Sequence, residues 1–329
     1  MRQKKLRQID VANTFLYAPV DAEIFVEQPH RSNTDPNQAC HLLKSLYGIK
    51  QALRLWQQYL HARLIRIGFQ QLPHNQAMYR LIKEAEYILL ILYVDDLLYV
   101  GSTDNITTCF EGELQRDLSL MVSSTVTQYL GLNILDGKNT IYLNAAKYAD
   151  TIAKRFILSP ALLPADRTCC TQRASFTGYI YRFEPVGPIS WQSSKHELIA
   201  LSSAEAEYIV LCSATKEGLY LRELLEEAKL AHLPSFSLFC DNQSAICIAN
   251  KNGFANRTKH IALRYFFVKD EIEKGRLELS YCPTSEMAAD YVTKKLGKQK
   301  FEYCMLLTGQ GHVTSNEGTP EAKGSVGNI

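Results

Sequence analysis

No apolar run in this 329-residue chain approaches the roughly 20 residues that a bilayer-crossing helix needs. The longest, Tyr87–Val94, is a fraction of that length. The basic opening MRQKKLRQID lacks the apolar stretch of a secretory leader. Nine cysteines include no CxxC pair and no regular framework, and Cys169 and Cys170 are adjacent. That pattern argues against a zinc ribbon or a secreted disulfide scaffold, and for a reduced intracellular setting, cytoplasmic or nuclear. Net charge is also scarce: 36 Lys and Arg against 34 Asp and Glu leave +2. Chain-wide charge therefore does not announce a polyanionic partner, and any basic surface must be local. What the chain does have is 46% hydrophobic residues and enough length for about two domains.

The most hydrophobic segment, ILLILYVDDLLYVGS, carries two adjacent carboxylates, Asp95 and Asp96. An unpaired buried carboxylate is costly, so such a group shifts its pKa, finds a partner or holds a metal. The segment reads as two strands joined by a tight turn at Val94-Asp95-Asp96, apolar enough to be buried on both faces. Leu6–Val11 is a further strand ending near a third acid, Asp10. Leu53, Trp56, Leu60, Leu64 and Ile67 recur at helical spacing from Ala52 onward. A helix is expected over Ile106–Leu118, and a hairpin over Tyr129–Leu143 turning at Asp136-Gly137. Carboxylates converging from separate strand ends can hold two divalent cations roughly 4 Å apart, activating an attacking 3′ oxygen and stabilising leaving pyrophosphate.

SPALLPADRTCCT, residues 159–171, breaks the periodicity and is expected to be a junction. Beyond it come strands SFTGYIYRF and GPISWQS and a helix from about Ser203 to Ala228. SLFCDNQSAICIAN supplies a strand, an acid and a short helix; LELSYC is a strand and TSEMAADYVTKKL a helix. Residues from Gly309 on lack apolar periodicity and read as a disordered tail. Ser202 and Glu205 fit a capping box, so Glu205 has a structural task and Glu207 is the better candidate for chemistry. Asp241 follows an apolar strand, and Asp290 lies beside Ala288, Ala289 and Val292.

QIDVANTFLYAPVDAEIFVEQP, LLKSLYGIKQALRLW and ILLILYVDDLLYVGS, in that order, closely resemble the reverse transcriptase of copia-type LTR retrotransposons, over about Leu6 to Phe156. The resemblance implies that Asp10, Asp95 and Asp96 are the metal-binding acids of a polymerase palm. It puts Phe15 where the family has an aromatic gate at the sugar 2′ position, and Gln51 in the nucleotide-pocket segment. In the second half, ISWQSSKH, LSSAEAEY, CDNQSAI, RTKHIALRYFFVKD and TSEMAADYVTK resemble the ribonuclease H domain of the same elements, over about Gln172 to Leu296. By that resemblance Glu207, Asp241 and Asp290 are metal-binding acids, Lys259 and His260 lie on a loop near substrate, and Lys251, Arg257 and Arg264 could face phosphates. The implied cofactor is Mg²⁺ or Mn²⁺, two ions per site. The implied partners are RNA template, RNA–DNA hybrid and deoxynucleoside triphosphates, with no membrane.

The expected architecture is α+β: a truncated reverse-transcriptase palm and fingers over residues 1–158, then a ribonuclease H-like α/β domain with a mixed sheet over 172–308, then the tail. The chain also departs from its family. A long upstream segment with finger strands is expected and not seen before Asp10. Leu53 replaces a proline and Asn75 an aspartate. Met287, Ala262 and Phe266 replace a glutamine, an aspartate and a histidine. Pro164 stands where a fourth ribonuclease acid belongs, leaving its neighbour Asp166 as a candidate ligand. About fifteen residues separate KRF from the ribonuclease blocks, pointing to a deletion on the order of a hundred residues. The basic cluster Arg2, Lys4, Lys5 and Arg7 reads as a solvated terminus. Three readings compete: an active polymerase–nuclease, a catalytically dead remnant, and a non-catalytic nucleic-acid binder. The departures favour the second.

Overall fold

Residues 6–11, 75–83, 86–93 and 96–101 combine β-branched, aromatic and leucine side chains with period-two burial, and they form strands. The computed structural model describes residues 5–29, 38–136, 141–145, 147–148, 151, 176–183, 187–195, 202–250 and 259–309. The junction at 159–171, with Pro164 and Asp166, lies outside the described residues, as do the Asp136-Gly137 turn beyond Asp136 and the tail beyond Gly309. The chain divides into two compact units, one reaching Leu135 with Leu143–Ala145, the other formed by the rest. No helix among the described residues is long and apolar enough to cross a membrane.

The first unit is built on β1 (Leu6–Val11), α1 (Ala52–Ile67), β2 (Gln70–Leu72), β3 (Asn75–Lys83), β4 (Glu86–Tyr93), β5 (Asp96–Gly101), α2 (Asp104–Gln115) and β6 (Leu120–Ser123). The strands form one sheet in the order β2-β3-β4-β5-β1-β6, with antiparallel neighbours throughout. Ile9, Val11, Ile88, Leu90, Leu97 and Tyr99 all point to one face and are buried against Trp56, Leu60 and Leu64 of α1 and Ile106, Phe110 and Leu114 of α2. Thr103 caps α2 through its side-chain oxygen, and Gly68 ends α1 at φ 108, a left-handed value that glycine adopts without strain.

Three expectations are corrected here. Among the described residues the sheet is covered on one face rather than both, because α1 and α2 pack on the same side. The other face leaves Ile91 at 38%, Tyr93 at 55% and Met121 at 62% exposure. Leu53 is not part of the apolar stripe but 51% exposed, whereas Ala52, Leu55 and Trp56 turn inward. Arg7 is not a solvated terminal charge: it donates to Glu111 at 2.8 Å and Asp104 at 2.9 Å, while the Tyr99 hydroxyl donates to the same Glu111 at 2.5 Å.

The second unit holds β7 (Phe176–Phe183), β8 (Gly187–Lys195), α3 (Ser203–Glu227), β9 (Phe236–Cys240), α4 (Gln243–Asn250), α5 (Lys259–Glu273), β10 (Leu277–Tyr281), α6 (Asp290–Thr293) and α7 (Lys298–Leu307). β7 and β8 form an antiparallel hairpin; β9 and β10 run parallel, joined through helices as parallel pairing requires. Both strand orientations are present, but among the described residues they form two separate pairs, not the single mixed sheet expected. The core gathers Tyr208, Leu211, Cys212, Cys240, Ala245, Ala249, Val268 and Leu277. Gly218 is required where α3 meets Tyr181 and Phe236, since a Cβ there would collide with the Phe236 ring and the Tyr181 hydroxyl. The expected TSEMAADYVTKKL helix shrinks to the single turn of α6. The Ser193 hydroxyl donates to the Val292 carbonyl at 2.5 Å, and Lys294 is already extended at φ −130, ψ 146. The chain then re-enters helix at Lys298, which the sequence pattern did not indicate.

Leu64 is fully buried, so Leu64→Ala is expected to cost the first unit about 3 kcal/mol. Leu53→Ala should change stability by less than about 0.5 kcal/mol. Urea unfolding of the two variants checks the inward and outward faces of α1.

Candidate metal centres

Antiparallel register sets Asp10 of β1 directly opposite Asp96 of β5. Cross-strand partners share a face and bring their Cβ atoms to about 5 Å. Asp10 lies between Ile9 and Val11, both buried, so alternation turns its carboxylate to the face that the helices leave open. Asp95 occupies the two-residue connection Val94-Asp95, because Tyr93 pairs with Asp96. Val94 has φ 57, an uncommon value for a β-branched residue and one that the tightest hairpins demand. The turn is held by the Trp56 indole, which donates to the Val94 carbonyl at 2.7 Å, and by the Val11 amide, which donates to the Asp95 carbonyl at 3.2 Å.

Asp10 responds to its two acidic neighbours. Burial pushes the Asp10 carboxyl above its ordinary value, and the charges of Asp95 and Asp96 push it further. The Gln8 amide donates to Asp96 at 2.9 Å from the same face. The Tyr129 hydroxyl is buried near this cluster with no hydrogen-bond partner; burial, then Asp96 and Tyr93, push it up to about 12. Phe15 follows β1 in the short turn of helix Thr14–Tyr17, half-buried and edge-on to Tyr47 with ring centroids 4.6 Å apart. Gln51 precedes α1, with its carbonyl accepting from the Leu55 amide at 3.0 Å and no side-chain capping bond.

In the second unit Glu207, Cys240 and Asp241 bring their ligand-type atoms within 4.8 Å of one another. Glu207 comes from α3, one helical turn beyond the cap in which the Ser202 hydroxyl accepts from the Glu205 amide at 3.1 Å. Asp241 terminates β9 and accepts from the Thr284 hydroxyl at 3.0 Å. Asp290, at the start of α6, is 5% exposed. Burial raises the Glu207 pKa; Asp241 and Asp290 raise it too, against the lowering effect of Lys294. Cys240 is pushed up to about 11 by burial, with Glu207 and Asp241 adding to the shift. The Lys294 ammonium lies 2.7 Å from Asp290 Oδ1 and the Lys300 ammonium 4.0 Å from Oδ2.

Among the described residues only Glu207 and Asp241, with Cys240, bring ligand atoms within 4.8 Å of one another, whereas Asp95 and Asp96 bear on Asp10, and Asp290 on Glu207, through their charge. The other predicted residues fare differently. Arg264 does not stand out at the surface: it is half-buried on α5, and its charge bears on Cys212 of α3. Lys259 and His260 open α5 rather than lying on a loop, and their side chains lie outside the described residues. Lys251, Arg257 and Asp166 are outside them as well. The sequence reading missed Gln8, Trp56, Tyr129, Cys240 and Lys294. Only Lys294, four residues after Asp290, and Cys240, adjacent to Asp241, carried a local signal.

The family model for reverse transcriptase (RNA-dependent DNA polymerase) matches residues 1–165, the stretch that contains the first acid cluster. The chain belongs to the reverse transcriptase family. Its relatives place it among copia-type retrotransposon Pol proteins. The retrovirus-related Pol polyprotein from transposon TNT 1-94 of Nicotiana tabacum is 25% identical over 410 residues, covering 93% of this chain and 31% of the relative. The corresponding polyprotein from transposon RE2 of Arabidopsis thaliana is 23% identical, over 92% of this chain and 27% of its own length. The chain therefore spans less than a third of either polyprotein. Among solved structures, prototype foamy virus protease-reverse transcriptase overlaps 90% of this chain and 44% of its own at 14% identity and TM-score 0.25, too loose a superposition to define a shared fold.

The raised pKa values fix a pH dependence for this reverse transcriptase relative. From the ordinary carboxylate value upward to its raised folded value, the folded state keeps a proton on Asp10 or Glu207 that the unfolded chain has released. Stability then falls as pH rises through that window and stays lower above it. In chelator at pH 7, Asp10→Asn and Glu207→Gln are each expected to raise the urea midpoint. The advantage should vanish near pH 3, below the carboxylate range (about 4). Equal midpoints at pH 7 would contradict the like-charge crowding.

Proposed function

We propose that the first unit is the palm of an RNA-directed DNA polymerase and the second a ribonuclease H-like nuclease, and that this copy turns over neither reaction. The carrying observation is the opposition of Asp10 and Asp96 across β1 and β5, with Asp95 in the adjoining turn. Hard oxygen donors at one sheet end suit Mg²⁺ or Mn²⁺, since a divalent cation favours the charged form of a carboxylate that burial, with Asp95 and Asp96, pushes toward its neutral form. Glu207, Asp241 and Asp290 would hold ions in the second unit on the same argument. Lewis-acid activation of the attacking oxygen, with charge stabilisation at the leaving one, is the chemistry such ions supply when bound.

The chain's own residues prepare the centre. The β1–β5 ladder fixes the spacing of the carboxylates, Gln8 orients Asp96, and Trp56 holds the strained turn. On this reading the face opposite α1 and α2 takes the primer end and a nucleoside triphosphate, with Phe15 and Gln51 contributing to the nucleotide site. RNA template and RNA–DNA hybrid are the partners this reading requires.

Loss of turnover is supported by what the chain lacks internally. The tobacco relative aligns over 410 residues, more than this whole chain contains, so it carries inserted segments with no counterpart here. Pro164 in place of an acid removes charge that a second ion needs. Primer extension on an RNA template, and cleavage of a labelled RNA–DNA hybrid, in Mg²⁺ or Mn²⁺, test this. Neither product is expected. Extension abolished by Asp95→Asn with Asp96→Asn would restore the active polymerase, and hybrid cleavage abolished by Asp241→Asn the active nuclease. Salt-sensitive hybrid retention without product would fit a nucleic-acid binder.

A further inference from the structure

On the reading that Glu207, Asp241 and Asp290 form a metal centre, we propose that Lys294 is its resident counter-cation, which a divalent ion must displace from Asp290. Asp290 is almost wholly buried, and a buried carboxylate without a partner is strongly destabilising. Here both of its oxygens face ammonium groups, Lys294 at 2.7 Å from Oδ1 and Lys300 at 4.0 Å from Oδ2. The two lysines are not equivalent. Lys300 also donates to the carbonyls of Thr284 at 2.7 Å and Ser285 at 2.5 Å, which tie it to the loop before α6. Its side chain is 28% exposed. Lys294 follows α6 with an extended backbone, its side chain is half exposed, and Asp290 is the group it bonds. Swinging into solvent would break this bond and no other hydrogen bond or ion pair to the described residues.

The position of Lys294 makes it more than an ordinary (i, i+4) pair. Its charge is felt by Glu207, and both Glu207 and Asp241 act on it in return. One ammonium thus balances three acids from two helices and a strand end. A divalent cation entering between the same acids meets that charge at close range and must expel it. Lys294 therefore sets metal affinity while keeping the empty acid cluster folded. It is a positioning residue, acting through Asp290.

Calorimetric titration of the full chain with Mn²⁺ tests the assignment; the binding lost in Asp241→Asn defines the second-unit site. Lys294→Gln is expected to tighten that binding roughly tenfold, the effect of removing one like charge a few ångström from the ion. Lys294→Arg should remain near the parent, and Lys300→Gln should change less than Lys294→Gln. In chelator Lys294→Gln should melt below the parent, and excess Mn²⁺ should reverse that order, which loss of a purely structural contact would not do. If the variant folds only with metal present, refolding on Mn²⁺ addition supports the role. Unchanged or weaker Mn²⁺ binding in folded Lys294→Gln, or absence of rescue, overturns it. Should Asp241→Asn leave the titration untouched, the metal-centre reading fails along with the inference. If Asp241→Asn weakens binding and Lys294→Gln does nothing, only the role of Lys294 fails.

Discussion

Asp10 and Asp96 are far apart in sequence, and a single backbone register brings them together. β1 lies between β5 and β6, and its ladder to β5 runs from Leu6 opposite Val100 to Asp10 opposite Asp96. A slip of one residue would exchange the faces of β1, driving Asp10 into the apolar layer and Ile9 out of it. The burial of Ile9 and Val11 against α1 and α2 therefore specifies the acid cluster as firmly as any polar contact does. The same packing explains access. Both helices cover one face, so the carboxylates emerge on the other.

The two acid groups meet the same electrostatic problem in different ways. In the first unit burial, together with the charges of Asp95 and Asp96, pushes the Asp10 carboxyl up. Gln8 and the turn contacts hold the geometry without neutralising it. In the second unit the most buried of the three predicted acids, Asp290, is matched by lysines. Concentrating like charge is a cost that a cation-binding centre accepts, because the ion recovers it on binding. The buried Tyr129 hydroxyl and the left-handed Val94 backbone add to this tension around the first cluster.

Much of the local structure was legible from residue order. The span Leu6–Val11 was read correctly, α1 was placed at Ala52, and the Val94-Asp95 turn and the cap at Ser202 carried clear propensity or spacing signals. Errors arose where a neighbour decided the outcome. Leu53 fits a helical stripe, yet the angular position of the core put Ala52, Leu55 and Trp56 inside. Leu89, Ile91 and Tyr93 read as core because they are apolar, though no described helix covers their face. The helix expected through Lys294 stops early because Ser193, about a hundred residues away, takes the Val292 carbonyl.

The sequence by itself determined which residues can form strands and helices, that YVDD interrupts an apolar run, and that ordered motif blocks mark the chain as a copia-type reverse transcriptase relative. Tertiary structure alone decided that Asp10 faces Asp96, that Glu207, Cys240 and Asp241 share one small volume, and that Lys294 reaches into that charge. The reason is physical: period and propensity are properties of neighbouring residues, whereas the interaction of two charges depends on their separation in space. That separation is set by strand register and by which faces the core buries.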